Sequence, residues 1–413
     1  MRPVVFAAIV RGMAKKRSKI RSEDIRGLKY FKSLRNLIGR LHSVGTARDK
    51  AGNRELHMDQ YCALILLWFF SPIVTSLRGL QQAGELDKVR KSFGVGRASL
   101  GSLSEGVAVF DPEPLKAIAQ DLFDQLPDIS AGRFDVVGQR LTAVDGSVVK
   151  TLARVARLAW LRRAKGALHG YRLHTQFEVL RGVPSRIDVT PIKPKGDDSE
   201  RAVLARTLEP DRLYVTDRGY EQFSLWNTIV RKESSYCCRI RDNAVYDVAQ
   251  NLELTDADRV AGVVKDEVVI FNRGPSQQIK PDHPTRVVTV AATAHRKCGT
   301  HSSGPACDGF LRLATNRLDL PAELISQIYR LRWLIETFFR MFKQLLGCRH
   351  LLSTKQNGVE IQVYCGIIAC LLIMLYTGRQ PSKRTFEMVC FYLSGWASQE
   401  ELERHIEKLP QPA

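Results

Sequence analysis

The spacing of apolar residues along this chain changes character twice. Over residues 1–130 apolar positions recur at helical intervals, behind a strongly basic first part. From about residue 139, short apolar runs take over: "RLTAVDGSVV", "HGYRLHTQFEVL", "RGVPSRIDVTP" and "RLYVTDRGY". These read as strands, the second and third joined at "RG", with helices near 197–208 and over Glu221–Lys232. Hairpins mixed with crossover helices predict a mixed sheet flanked by helices, and so an α/β fold.

Residues 236–315 hold further short β segments, "YCCRI", "AVYDV", "AGVVKDEVVIF", "TRVVTVAAT" and "FLRLATN", between Gly, Pro and Asn punctuation. They read as a β-rich insertion. A helix follows from near Pro321, and an apolar helical tail completes the chain. The pattern therefore divides into five parts: a helical, basic region at 1–130, a first core part at 131–235 and the insertion at 236–315. The rest of the core spans 316–355 and the helical C-terminal region 356–413.

Within the first region, "GELDKVRKSFGVGRASLGSLSEGVAVF" (84–110) runs as helix, glycine-marked turn and serine-capped helix, the outline of a helix-turn-helix. Arg97 and Ser99 stand at the start of its second helix, where side chain and backbone N–H can meet a phosphate. Two packed helices without DNA contact fit the same pattern.

Length and composition narrow the class. The chain has 413 residues, 44% of them hydrophobic, enough for a sizeable core and for two or three domains. The net charge of +19 favours a polyanionic partner, nucleic acid before a membrane surface. Nine cysteines form no dense framework, and Cys62, Cys365, Cys370 and Cys390 lie in apolar runs as core residues do, so a reduced cytoplasmic protein is expected. The runs "ALILLWFFSPIVTSL" and "GIIACLLIMLY" fall short of the ~20 residues a span needs and read as buried helices, with no membrane partner. "HRKCGTHSSGPAC" offers His295, Cys298, His301 and Cys307 in the types of a zinc site, but no conventional second pair supports it and an incidental polar loop is the simpler reading.

The chemistry is carried by acids. Asp145 closes "LTAVD" and Asp217 closes "LYVTD". An acid at a strand end points into the crevice above a sheet, although many such aspartates only form turns. Glu336 lies in a strongly apolar helical segment, where an unpaired carboxylate is costly to bury. Arg332 or Arg340, a turn away on either side, can pair with it. Alternatively, Glu336 meets Asp145 and Asp217, and three such carboxylates repel one another unless a divalent cation holds them. Oxygen-only ligation suits Mg²⁺ or Mn²⁺, and a two-ion site can activate one oxygen and stabilise another at phosphorus.

"YRLRWLIETFFRMFK" places Tyr329, Arg332, Glu336 and Lys343 at gaps of two, three and six residues. With Asp145-Gly-Ser, Asp217-Arg-Gly-Tyr, "GVPSRIDVTP" and "LATN", residues 139–355 resemble the insertion-sequence-four family of DDE transposases and its Tyr-Arg-Glu-Lys signature. The N-terminal third resembles it only loosely.

That resemblance implies a ribonuclease-H-like catalytic core interrupted by a β insertion. It implies Asp145, Asp217 and Glu336 as catalytic metal ligands. It also implies DNA contacts from Tyr329, Arg332, Lys343 and Arg218, with Arg97 a candidate from the helix-turn-helix outline. The activity implied is hydrolysis at the element's ends followed by 3′-hydroxyl transfer into target DNA. Double-stranded DNA is then the partner, with a homodimer synapsed on it, in a nucleoid-associated bacterial protein. Relatives stack an insertion tryptophan on a flipped base during hairpin formation. Residues 236–315 contain no Trp, leaving Phe271 or Tyr246 as stacking faces. The basic stretch 150–172, with Trp160, reads either as a DNA-backbone contact or as a solvated helix face. Rival readings are a ribonuclease-H-like nuclease without strand transfer, a transposase-derived DNA-binding protein without catalysis, and a phosphatase. The last would need neither the basic N-terminus nor the signature spacing.

Overall fold

The protein is described here from a computed structural model, over residues 37–44, 49–71, 73–74, 76–126, 132–150, 170–192, 198–271, 279–292, 309–347, 353, 355–378 and 382–409. The basic arm before residue 37, most of the 150–172 stretch and the His295/Cys298/His301/Cys307 group lie outside the described residues.

Among the described residues, five α-helices come first: α1 (Met58–Phe70), α2 (Leu77–Glu85), α3 (Asp87–Phe93), α4 (Leu100–Val109) and α5 (Glu113–Asp124). The turn anticipated around Gly94 is present. Gly94 stops α3 at φ 63, a left-handed conformation that glycine tolerates, and Ser99 caps α4 by accepting from the Ser102 N–H.

Nine strands among the described residues then build one sheet: β1 (Arg140–Lys150), β2 (Gly170–Glu178), β3 (Val183–Pro191), β4 (Arg212–Thr216), β5 (Ser235–Arg239), β6 (Asp247–Asn251), β7 (Val263–Ile270), β8 (Thr285–Ala291) and β9 (Phe310–Thr315). Their order is β3-β2-β1-β4-β5-β9-β8-β7-β6. The β1-β2-β3 meander is antiparallel, β4 and β5 run parallel to β1, and β9 to β6 return antiparallel. The fold is thus mixed α/β with one large mixed sheet.

Residues 236–315 take part in this same sheet. "YCCRI" is β5, hydrogen-bonded in parallel to β4 and inseparable from the central strands. The remaining β segments extend the same sheet through the β5–β9 pairing. Short apolar runs report a strand but not its neighbours, so the boundary was invisible in sequence.

Helices cover both faces. Between β3 and β4 runs α6 (Glu200–Arg206), and between β4 and β5 runs α7 (Phe223–Arg231). On their side Trp226 stacks on Tyr236, ring centroids 4.8 Å apart, in a compact second core. After α8 (Asp256–Val260) come α9 (Ala322–Leu331), α10 (Trp333–Gly347), α11 (Gln356–Thr377), α12 (Lys383–Leu393) and α13 (Gln399–Glu407).

The larger core is organised by α11, which packs on β3, α1, α4 and α5. Apolar all round, this helix is long enough to cross a membrane by composition, yet its Gln356–Leu375 window is 89% buried inside the protein. Its polar side chains bond inward: Tyr364 donates to the Ile187 carbonyl at 2.7 Å, and Asn357 to the carbonyls of Val107 and Phe110 at 2.7 and 2.6 Å. The N-terminal helices are thereby tied to the edge of the sheet that carries the acids.

Candidate active site

Register brings the two aspartates together. In the parallel β1–β4 pair, Ala143 faces Val215, and Asp145 and Asp217 each lie two residues further along. They emerge at the carboxyl end of neighbouring strands, beside the point where the sheet changes from antiparallel to parallel. In mixed sheets such an edge opens a crevice for ligands.

The two acids differ locally. Asp145 does not form an Asp-Gly turn, because β1 continues to Lys150 in partnership with β2. Its Oδ1 accepts from the Gly146 N–H at 2.8 Å. Asp217 ends its strand, and its Oδ1 accepts from the Gly219 N–H at 2.9 Å, folding Arg218–Tyr220 into a tight turn. A Cβ at Gly219 would stand 2.9 Å from that same oxygen, so a side chain there would displace the acid. Arg201 braces the turn from α6 by donating to the Gly219 carbonyl at 2.8 Å.

Alternation along β1 sends neighbouring side chains to opposite faces. Ala143 belongs to the core beneath α10 and α11, and Val144 to the core beneath α6 and α7. Asp145 shares the first face and meets α10 there. Phe338 and Phe339, each 5% exposed, seat that helix, with the Phe338 ring 5.3 Å from Phe177 on β2. Trp333, on the same helix, is 57% exposed and faces solvent.

The signature segment is also not one helix. The α9 helix ends at Leu331 and α10 starts at Trp333, with Arg332 between them. Arg332 and Ile335 donate backbone N–H groups to Tyr329 and Arg332 carbonyls at 3.1 and 3.2 Å, three residues back rather than four. That tighter winding alters the rotation per residue at the junction, which spacing counted on an ideal helix misses.

The four signature residues and the two aspartates nevertheless converge. Arg332 Nη2 donates to Glu336 Oε1 at 2.7 Å, and its Nη1 lies 3.9 Å from Asp145 Oδ2. The Arg332 guanidinium carbon stands 5.8 Å from the Tyr329 ring centroid. Burial pushes the Asp145 carboxyl up to about 6; Arg332 and the Gly146 N–H oppose the rise, and the charges of Asp217 and Glu336 add to it. Partial desolvation beside the site lowers the Lys343 ammonium below the usual lysine range, with Asp145 acting against it. Burial also pushes the Tyr329 hydroxyl up to about 12.

The other candidates lie apart from this cluster or beside it. Arg218 occupies the turn directly after Asp217. Arg97 pairs instead with Glu85, 3.5 Å away among the N-terminal helices. Phe271 is a core residue, 5% exposed and packed on Phe223, Trp226 and Tyr246, which removes it as a stacking face.

The structure adds residues that sequence reading passed over. Thr175 lies directly across from Asp145, fully buried, with a hydroxyl that makes no hydrogen bond. On the opposite face Glu200, paired with Arg172 at 2.6 Å, sits where a Cβ of Gly146 would be. Only the strand pairing could have pointed to either. Among the described residues, no group of three or more His, Cys, Asp or Glu side chains is gathered closely enough to hold a metal ion as it stands.

A mixed α/β protein with two in-register strand-end aspartates and a glutamate delivered by a following helix is the class that this geometry defines. The family described as "Transposase DDE domain" matches residues 137–372, more than half of the chain, and the protein belongs to that family. It is 24% identical over 224 residues to "Putative transposase y4zB" of Sinorhizobium fredii, covering 54% of this chain and 57% of the relative. It is 24% identical over 218 residues to "Probable transposase for insertion sequence element IS5377" of Geobacillus stearothermophilus, covering 52% of each. The chain thus spans about half the length of the curated relatives it matches. A solved piggyBac transposase synaptic complex with hairpin DNA is similar at TM-score 0.43 and 10% identity, over 94% of this chain and 86% of that one.

Proposed function

We propose that this protein is the transposase of a bacterial insertion sequence, of the insertion-sequence-four type with the Tyr-Arg-Glu-Lys signature. It binds the ends of its element, hydrolyses a phosphodiester there to free a 3′-hydroxyl, and directs that hydroxyl onto a phosphodiester of target DNA. The observation that carries this reading is the parallel register of Asp145 and Asp217, combined with the approach of Glu336 through Arg332. The order β3-β2-β1-β4-β5, antiparallel then parallel, supports a ribonuclease-H-like core.

The donor chemistry suits a divalent cation. The donor set is oxygen-only, and the charges of Asp217 and Glu336 add to burial in raising the Asp145 carboxyl to about 6, a repulsion that a divalent cation would offset. Asp145, Asp217 and Glu336 would hold Mg²⁺ or Mn²⁺, which supplies Lewis acidity at phosphorus when bound. Arg332 and Lys343 then take up phosphate charge, and Tyr329 packs against Arg332. In hydrolysis a water oxygen bonds to phosphorus and the P–O3′ bond breaks. In transfer the freed 3′-oxygen bonds to a target phosphorus and a target P–O3′ bond breaks. Residues 1–130 recognise the element's ends, two copies assemble on paired ends, and the protein works at the nucleoid in the bacterial cytoplasm. The net charge of +19 supports a DNA partner.

The test is cleavage and strand transfer by the purified protein on duplexes carrying the element's ends. Asp145→Asn, Asp217→Asn and Glu336→Gln should each reduce Mg²⁺-dependent cleavage on the order of 10³-fold or more, because groups that act as a unit fail together. DNA binding should persist. Transfer from pre-cleaved ends separates a transposase from a nuclease: cleavage without transfer would favour the latter.

A further inference from the structure

At the strand ends the principal partner of the acids is another side chain. Arg332 reaches Glu336 at 2.7 Å and Asp145 at 3.9 Å, so one guanidinium spans two of the three carboxylates. It is 16% exposed and lies against the Tyr329 ring. It also sits at the junction of α9 and α10, where the backbone is bonded three residues back rather than four. Its Nε is buried and makes no hydrogen bond.

We propose that Arg332 is the resident countercharge of this acidic site and that a DNA phosphate draws it away, so that DNA binding and divalent-cation binding are coupled through this one side chain. The inference rests on the metal-dependent reading given above.

Three physical points support it. A guanidinium and a divalent cation compete for the same carboxylate charge, and close cations repel, so each weakens the other's hold on Asp145 and Glu336. The arginine fork is matched to phosphate oxygens, and a phosphodiester gives the orphaned Nε–H an acceptor that the present arrangement lacks. Finally, coupling is reciprocal: if DNA releases the acids for the cation, the bound cation must tighten DNA binding by the same factor. Lys343 differs, being exposed and acting on Asp145 only through space.

The experiment measures Mn²⁺ binding at pH 8 by loss of the free-ion paramagnetic resonance signal, with and without a short duplex oligonucleotide. Without DNA, Arg332→Gln should bind Mn²⁺ about tenfold more tightly than the unmodified protein, within the usual range of site coupling. Adding the duplex should tighten Mn²⁺ binding far more for the unmodified protein than for Arg332→Gln. Lys343→Gln, which removes a neighbouring charge without freeing the acids, should leave DNA-free binding almost unchanged. Arg332→Lys keeps a charge but loses the fork; it should fall between the two, and it serves if the glutamine variant misfolds. Equal DNA-free affinities for the unmodified protein and Arg332→Gln would overturn the coupling alone. So would an equal gain in Lys343→Gln. Absence of Mn²⁺ binding by every protein, with or without duplex, would overturn both the coupling and the metal-dependent reading.

Discussion

Asp145 and Asp217 stand at matched heights on adjacent parallel strands, each two residues beyond the paired Ala143 and Val215. Two carboxylates held so closely, one of them largely buried, oppose each other electrostatically. The fold tolerates this because Arg332 reaches in from the junction of α9 and α10. Cost and compensation therefore come from different parts of the chain, and only the sheet register unites them.

Lys343 is placed on the same helix as Glu336, two turns further along and within electrostatic reach of Asp145. Lys343→Ala should weaken end-complex stability and cleavage by roughly tenfold, as loss of one charge-assisted phosphate contact does. It should also lower the salt dependence of DNA binding by about one ion. Binding titrations across salt concentrations check this; an unchanged slope and rate would reduce Lys343 to a solvated residue.

Phe338 is the anchor that holds α10 against the sheet, between Phe177 at 5.3 Å and Phe342 at 5.1 Å. Phe338→Ala should cost about 3–5 kcal/mol of stability, the usual penalty for emptying a buried aromatic site. Phe338→Leu should cost much less. Denaturant unfolding measures both. Cleavage by the folded fraction of Phe338→Ala should also fall, because Glu336 loses its fixed distance from Asp145.

His174 gives the stability a pH dependence of known sign. Burial pushes its imidazole down to about 4, with Arg172 adding to the fall, while Nε2 stays bonded to Thr190 at 2.8 Å. The unfolded chain takes up a proton near the ordinary value of about 6.5, before the folded one does. Its contribution is therefore full above that value and is lost as pH falls towards 4, by up to roughly 3 kcal/mol. Thermal melts of the protein and of His174→Gln across this window should show a shallower acid loss in the variant; parallel curves would refute the assignment.

Much of the site was legible in the primary structure because its motifs are local. Asp145, Asp217 and Glu336 were identifiable from strand ends and from signature spacing, and the structure brings all three to one end of β1 and β4. The bridging arginine was anticipated too, as one of two possible partners of Glu336. What escaped were relationships across the fold. Thr175 faces Asp145 only once β1 and β2 pair, and Glu200 presses on Gly146 only once α6 crosses the sheet. Trp333 is as apolar as its neighbours Phe338 and Phe339, yet helix orientation leaves it 57% exposed.

The sequence by itself determined which residues carry charge, which runs alternate and which turns can form, since side-chain chemistry and backbone preference are local properties. From these came the expectations of a mixed sheet, of a polyanionic partner and of the three acids. Tertiary structure alone decided that β5 to β9 continue the central sheet, that the signature helix breaks at Arg332, and that this arginine lies between two acids. The physical reason is that strand pairing and helix seating are settled by the packing of distant segments, by Phe338 on Phe177 or β9 on β5, whose free energy no single segment contains.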